Sequence, residues 1–184
     1  MKRMTILFAL LLTPFCVSAL DLDLGLQLGL RTTSGDIKDV YGNGTVFYPS
    51  LRLGVLKGLG IGLGYEAGYK KEGKIGLYDE DSTLKVGGVE LFAAYEFRAG
   101  KLLPYARIGV GSYKYSQKVD SQFAQSVDKS KVAFSLGAGL KVLIDKFFVC
   151  AELKYTPLKV KPIDQEVDLG GVRLAAGVGY RFDL

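Results

Sequence analysis

The sequence contains no histidine in its 184 residues. Histidine is the side chain that most readily exchanges protons near neutral pH, and many hydrolases and acyltransferases use it to activate a nucleophile. Serine and acidic residues are present, but without a suitable base they do not assemble into these catalytic arrangements. The composition therefore predicts a protein that is not an enzyme.

Metal-binding residues are also scarce, because only acidic side chains and two cysteines remain as candidates. The acidic run Asp79-Glu80-Asp81 lacks the spacing of a structured calcium cage, and we interpret it as a solvated loop. The glycines recur at every second position, whereas a phosphate-binding loop would place them just before a helix. The sequence predicts no metal site and no cofactor.

No apolar run is long enough for a membrane-spanning helix, which needs roughly 20 residues. The longest run, residues 5–12, follows Lys2 and Arg3 and precedes small residues that suit a signal peptidase. We therefore predict that residues 1–19 are a cleaved secretory signal peptide. The mature chain, residues 20–184, is then long enough for one domain.

The cysteine count excludes an intramolecular disulfide in the mature chain. Once residues 1–19 are removed, only Cys150 remains, so the fold must be stable without cross-links in an oxidising compartment. The formal net charge is +5 and falls to +3 without Lys2 and Arg3. This excess is too small and too evenly spread to indicate a nucleic-acid partner.

What the sequence does contain is regular alternation. In residues 20–30, LDLDLGLQLGL, every second residue is leucine, which indicates a β-strand because a helix would scatter the leucines around its axis. Most segments of this kind exceed the roughly 5–6 residues of a soluble strand and suit a strand that crosses a bilayer at a tilt. Seven further segments alternate: 46–56, 59–70, 87–98, 102–115, 131–144, 147–157 and 171–184.

The connections between these strands alternate between short turns and long loops. Three hairpin-sized turns lie around residues 57–58, 99–101 and 145–146. Counted along the chain, the turns fall at the end where both termini lie. We predict that an extracellular ligand, if there is one, binds through the long loops at the opposite end: residues 32–45, 71–86, 116–130 and 158–170.

The two faces of the predicted strands differ in composition. One face is leucine, valine and other apolar residues, whereas the other is glycine and charge. Glycine weakens strands, but an eight-stranded barrel has little interior space, so large charged groups inside it need small neighbours. Asp21 and Asp23 help to balance the inward charges, as a confined polar interior requires. The predicted lumen charge network is Arg52, Glu66, Glu90, Glu96, Arg107, Lys141, Glu152, Lys154, Arg173 and Arg181.

The leucines are therefore expected to face outward into lipid. Aromatic residues near the strand ends would form the interfacial girdles: Phe47, Tyr69, Tyr95, Phe97, Phe147, Tyr155, Tyr180 and Phe182. The alternative is a soluble periplasmic barrel of lipocalin type with the leucines inside. That barrel would be overpacked by the bulky residues of the apolar face.

The carboxyl-terminal strand, GVGYRFDL at 177–184, resembles the assembly signal of small eight-stranded outer-membrane barrels of the OmpA-like and opacity-protein-like group. Gly179, Phe182 and Leu184 match that signal, and PYARIGVG at 104–111 is similar to the strands of the group. The resemblance covers the whole mature chain. It implies a closed, antiparallel, up-and-down transmembrane β-barrel in the outer membrane of a Gram-negative bacterium, inserted by the barrel assembly machinery.

The expected function follows from this architecture. We expect a rigid barrel that displays its long loops for surface interaction, adhesion or envelope integrity. The alternative is a narrow pore or small-solute conduit, which would open if pairs such as Glu90–Arg107 exchange partners. The small bore of eight strands favours the closed barrel.

Overall fold

The computed structural model describes residues 20–33, 42–75, 80–119, 127–160 and 167–184, so the predicted signal peptide lies outside the described residues. None of the described residues forms a helix long and apolar enough to cross a bilayer. They form ten strands: β1 (Asp21–Arg31), β2 (Gly44–Gly54), β3 (Leu59–Ile75), β4 (Glu80–Glu96), β5 (Leu102–Val119), β6 (Val127–Ile144), β7 (Phe147–Thr156), β8 (Lys159–Val160), β9 (Val167–Asp168) and β10 (Gly171–Asp183).

Eight of the described strands close into one antiparallel barrel, which confirms the predicted fold. The order around the barrel is β1-β10-β7-β6-β5-β4-β3-β2, and β8 and β9 form a separate small hairpin. β1 closes the barrel because it pairs with β2 on one side and with β10 on the other. Closure matters in lipid, since it leaves no strand edge with unsatisfied backbone groups.

The apolar face of each barrel strand points outward, as predicted. Leu28, Ile108 and Phe134 are 60%, 62% and 73% exposed, although they lie in mid-strand. Near the three short turns, which we call the turn end of the barrel, outward aromatic rings pack edge to face. The ring centroids of Tyr95 and Phe97 are 4.7 Å apart, and those of Phe147 and Tyr180 are 4.9 Å apart.

The prediction that Tyr69 belongs to the outward aromatic girdle is wrong, because its side chain points into the barrel and is only 1% exposed. The pairing of β3 with β4 shifts register between Glu66 and Tyr69, and Gly68 there has a φ of 95°. This bulge inserts one extra residue, so the alternation changes phase and every later residue of β3 swaps faces. Gly68, which by simple alternation would point inward with Gly64 and Glu66, is exposed for the same reason.

The prediction of long loops at residues 71–86 and 116–130 is also wrong, because most of these residues belong to strands. β3 and β4 continue to pair as far as Ile75 and Glu80, and β5 and β6 as far as Gln117 and Val127. The outward side chains there are polar, so the apolar signal fades although the ladder persists. We call residues 70–75, 80–86, 114–119 and 127–131 the strand extension, and the end of the barrel that carries it the loop end.

The other two predicted loops are shorter than expected. Loop 158–170 contains the β8–β9 hairpin, and loop 32–45 ends where β2 begins at Gly44, two residues before the predicted start. Parts of all four loops lie outside the described residues, as does Asp79 of the acidic run. Asp81, the last residue of the same run, is exposed on the outward face of β4.

The inward glycines lie beneath specific large side chains. A methyl group built on Gly64 would overlap the Tyr48 phenol, and one on Gly179 would overlap the Phe148 ring. One on Gly139 would lie 2.5 Å from the Tyr105 hydroxyl oxygen. Glycine is therefore needed at these positions because the lumen is filled to contact distance.

Candidate functional site

The turn end of the lumen holds six buried charged side chains, which we call the turn-end cluster: Asp21, Asp23, Arg52, Glu96, Lys141 and Arg181. Arg181 donates two hydrogen bonds to Asp23, from Nε and Nη2, each 2.6 Å long. It also donates from Nη2 to Glu96 Oε2 at 2.8 Å. Bidentate pairs of this kind are strong and directional, and this one joins β10 to β1 across the closure of the barrel.

Arg52 and Lys141 complete the turn-end cluster. Arg52 Nη1 donates to Asp21 Oδ1 at 2.9 Å. Lys141 Nζ donates to Asp23 Oδ2 at 2.8 Å and also to Glu96. Three cations face three carboxylates, so the cluster is neutral and each buried charge has a partner of opposite sign, which lowers the cost of its desolvation.

A second group of buried ions lies closer to the loop end, and we call it the central cluster: Arg31, Glu66, Glu90, Arg107, Glu152, Lys154 and Arg173. Lys154 Nζ lies 2.9 Å from Glu66 Oε2 and 3.0 Å from Glu90 Oε2. Arg107 bridges Glu90 and Glu152 at 3.1 and 3.2 Å. Two further pairs, Arg31–Glu66 and Arg173–Glu152, close the network.

Tyrosines tie the central cluster together. The Tyr48 hydroxyl donates to Glu90 Oε2 at 3.0 Å and accepts from Arg107 Nη2 at 2.6 Å. The Arg173 guanidinium carbon lies 4.0 Å from the centroid of the Tyr48 ring, which is a cation–π distance. Tyr48 therefore contributes hydrogen bonds through its hydroxyl and a cation–π contact through its ring.

Little space remains between the two clusters. A cavity of about 30 Å³ lies there, with Phe92, Phe148 and Cys150 among its lining residues. That volume is about the share of one molecule in liquid water. The Cys150 thiol is buried and accepts a hydrogen bond from Gln27 Nε2 at 3.6 Å. This cavity has room for water but not for a larger solute.

Above the central cluster, at the loop end, the interior becomes apolar. The mouth cluster, as we call it, consists of buried side chains from the loop-end parts of β2 to β6, from β8 and from the residues next to β8 and β9: Val46, Tyr69, Leu84, Val86, Tyr113, Tyr115, Val127, Ala133, Leu158, Val160 and Leu169. Burial raises the pKa of the Tyr115 phenol above its ordinary value. The cluster therefore stays uncharged at neutral pH.

The β8–β9 hairpin closes the mouth. Leu158 and Leu169 are 1% and 2% exposed, and the Leu169 amide donates to the Leu158 carbonyl at 2.8 Å. Arg31 Nη2 donates to the Leu169 carbonyl at 2.8 Å, while Nη1 of the same guanidinium donates to Glu66. Arg31 thus fixes the apolar closure directly to the central ion cluster.

The structure places all ten side chains of the predicted charge network in the lumen, each of them paired. The prediction missed Arg31, Tyr48 and Tyr105, although the sequence carried a signal for each. Arg31 continues the odd-numbered series of Asp21 and Asp23 but stood at the edge of a predicted loop. Tyr48 and Tyr105 share the phase of Arg52 and Arg107, and aromatic residues were expected only on the outside.

The residues of the predicted assembly signal lie along the final strand. Gly179 is held beneath the Phe148 ring, Phe182 is 40% exposed on the outward face, and the Leu184 amide donates to the Leu20 carbonyl at 2.9 Å. Their role in assembly stays a prediction.

A closed eight-stranded antiparallel barrel with an apolar exterior and an interior of paired ions is the architecture of an integral membrane barrel. The match to a family model makes the assignment specific: residues 7–182 match the model of the outer membrane protein beta-barrel domain, and the chain belongs to that family. No curated protein sequence matches the chain significantly.

Several solved structures share the fold. Neisserial surface protein A, NspA, has 15% identity and a TM-score of 0.61, over 90% of this chain and 100% of that one. Ail, the attachment invasion locus protein of Yersinia pestis, has 20% identity and a TM-score of 0.57 over the same shares. A major outer membrane protein of Thermus thermophilus has 11% identity and a TM-score of 0.63, again over 90% and 100%. At these identities the similarity concerns the fold.

Proposed function

We propose that this protein is a closed, non-enzymatic barrel of the Gram-negative outer membrane, exported by the amino-terminal signal peptide. Its strand extension and loops would serve surface interaction or adhesion. The observation that carries the proposal is the closure of the lumen by two ion clusters and an apolar mouth. In outer-membrane barrels the longer connections face the outside of the cell, so the loop end is the extracellular end.

The closed lumen argues against the alternative of a narrow pore. Opening by partner exchange at Glu90–Arg107 would require Glu90 to leave several partners at once. Its carboxylate accepts from Tyr48 and Lys154 at 3.0 Å each and from Ser135. Breaking buried pairs without replacement is strongly unfavourable. The mouth cluster and the β8–β9 hairpin would still block the path above the ions.

Exposed lysines around the mouth support surface interaction as the function. Lys129, Lys131 and Lys159 are exposed at the loop end, and Lys131 Nζ donates to the Lys159 carbonyl. One structure of Yersinia pestis Ail, which shares the fold, was solved with the heparin analogue sucrose octasulfate. We propose that the mouth lysines here bind a sulfated polysaccharide of similar charge.

Binding to heparin-coated surfaces tests this function. The triple substitution K129Q/K131Q/K159Q should greatly weaken the adhesion of cells that carry the barrel, because the main contacts to an anionic polymer are charge contacts. The matched control is K57Q/K101Q/K146Q, which removes three exposed lysines at the turn end. Unchanged adhesion of the mouth variant would overturn the assignment.

Planar bilayer recording tests the closed lumen separately. The wild-type barrel should give no discrete conductance steps, because paired buried ions fill the described lumen around a cavity of about 30 Å³. Reproducible steps from folded protein, identified by heat-modifiable gel mobility, would favour the pore instead.

A further inference from the structure

Three lysines converge on the outside of the barrel, where the outward face changes from apolar to polar. Lys70, Lys85 and Lys114 all point outward and are exposed. Lys70 lies directly opposite Lys85 in the β3–β4 ladder. Lys114 pairs with Gly87 on the next strand, which makes it a diagonal neighbour of Lys85. Like charges placed directly opposite one another destabilise a sheet, so an anion bound between these lysines would stabilise it.

The chain supplies only part of that counter-charge. Lys114 Nζ lies 3.2 Å from Asp128 Oδ2, and Lys70 Nζ lies 3.7 Å from Glu72 Oε1. Both pairs are solvent-exposed, and such pairs contribute little. Within the described residues, Lys85 has no ion-pair partner. The three lysines therefore keep a net positive charge on this side of the barrel.

The lysines rim an open hollow of about 660 Å³ on the outer face of the barrel. Its apolar floor includes Tyr65 and Val89, and Ser112 and Ser116 place hydroxyl groups near the lysines. The hollow exists because the outward position between Lys85 and Val89 is Gly87, which has no side chain to fill it. The same depression therefore joins a hydrocarbon surface to three ammonium groups and two hydroxyls; the Asp128 carboxylate, which pairs with Lys114, also lines it.

The hollow lies at the depth of lipid head groups. Toward the turn end, the next bulky outward side chains are Tyr65, Val89 and Val110, which are 49%, 54% and 38% exposed and face the hydrocarbon. Lys85 lies four residues beyond Val89, or about 13 Å along a tilted strand. Lysine side chains near such a boundary extend toward the polar layer. The ammonium groups therefore reach the layer that contains lipid phosphates.

We infer that this hollow binds the phosphate of an outer-leaflet lipid head group. Lys70, Lys85 and Lys114 provide the charge, and the lipid's acyl chains lie along Tyr65 and Val89. This inference goes beyond the proposed surface function, because its ligand belongs to the membrane itself and its lysines are not those of the mouth.

Lipid enrichment tests the site directly. The barrel is folded into phosphatidylcholine vesicles that contain a minor fraction of phosphatidic acid, re-extracted in mild detergent, and analysed for bound lipid. Wild-type protein should be enriched in phosphatidic acid, and K70Q/K85Q/K114Q should lose the enrichment by about fivefold per lysine removed. Inorganic phosphate should not displace the lipid at equal concentration, because it lacks the acyl chains.

The mouth variant K129Q/K131Q/K159Q is the matched control, since it removes the same charge from the same side of the membrane. It should keep the enrichment, whereas K70Q/K85Q/K114Q should keep its binding to heparin-coated surfaces. Equal loss of enrichment in both variants would show attraction by net charge alone and would overturn the site. Heat-modifiable mobility of each variant verifies folding.

A single substitution gives an independent test. The carboxylate introduced by Lys85→Glu would face Lys70 and relieve the like-charge opposition, so the urea midpoint should rise in pure phosphatidylcholine. With phosphatidic acid present the same substitution should lower the midpoint relative to wild type, because it removes a ligand of the phosphate. A change of the same sign in both membranes would contradict the inference.

Discussion

The membrane-spanning part of the barrel and the strand extension are built from the same strands with opposite polarity. In the spanning part of β4, Glu90 points inward and Leu91 outward, whereas in the extension Leu84 points inward and Lys85 outward. The change follows the solvent. Where hydrocarbon surrounds the barrel, the polar groups are enclosed, and where water surrounds it, the apolar groups are enclosed.

The two regions also differ in how their interiors contribute to stability. The mouth cluster is stabilised by burial of apolar area, at roughly 25 cal/mol per Å². The ion clusters gain little from burial, because desolvation of the charges offsets much of their attraction. The stability of these clusters depends strongly on keeping both partners of each ion pair. Removing one partner leaves an uncompensated charge, so a mutation in the lumen should have a larger effect than one of similar size in the mouth.

The largest expected effect is therefore the removal of one lumen carboxylate. Glu66→Gln leaves Arg31, Lys154 and Arg173 without a shared counter-charge, which should lower the free energy of unfolding by about 3–5 kcal/mol. The measurement is urea unfolding in vesicles, followed by heat-modifiable mobility. Glu72→Gln is the control on the same strand, where the side chain is 78% exposed. Similar losses in the two variants would show that the central cluster is not an obligate network.

Two lysine substitutions on the outer face of β4 test where the surroundings of the barrel change from hydrocarbon to water. Leu91→Lys places a charge in hydrocarbon and should lower the free energy of unfolding by about 2–4 kcal/mol near the bilayer midplane. Thr83→Lys, on the same face but in the extension, should change it by less than about 0.5 kcal/mol. Equal tolerance at both positions would mean that lipid does not surround Leu91.

The smallest expected effect concerns the bulge that shifts the phase of β3. Gly68→Ala forces a side chain into a backbone with φ 95°, which should lower the free energy of unfolding by about 1–2 kcal/mol. Gly68→Asn should lose less, because asparagine adopts positive φ more readily than alanine. If alanine and asparagine behave alike, backbone conformation is not the reason for glycine here.

The spanning part of the barrel could be predicted because one alternating pattern, apolar outward and polar inward, holds along each strand. In the extension the pattern reverses, so Leu84 and Val86 looked like isolated apolar residues within a charged loop, and the predicted strand 102–115 was ended where the outward residues become polar. Tyr69 could not be placed by alternation, since a single extra residue changes the phase. The β8–β9 hairpin has strands of two residues, too short for periodicity, and its position depends on packing between segments distant in the chain.

The hydrogen bonds from Arg181 to Asp23 connect the last barrel strand to the first. A chain still lacking β10 would also lack Arg173, and carboxylates would then outnumber cations among the lumen residues described. The excess of carboxylates in such an unfinished sheet would favour hydration of its inner face. The arrival of the last strand would pair Arg173 and Arg181 with lumen carboxylates and close the wall in the same step, so ion pairing and sealing of the barrel coincide.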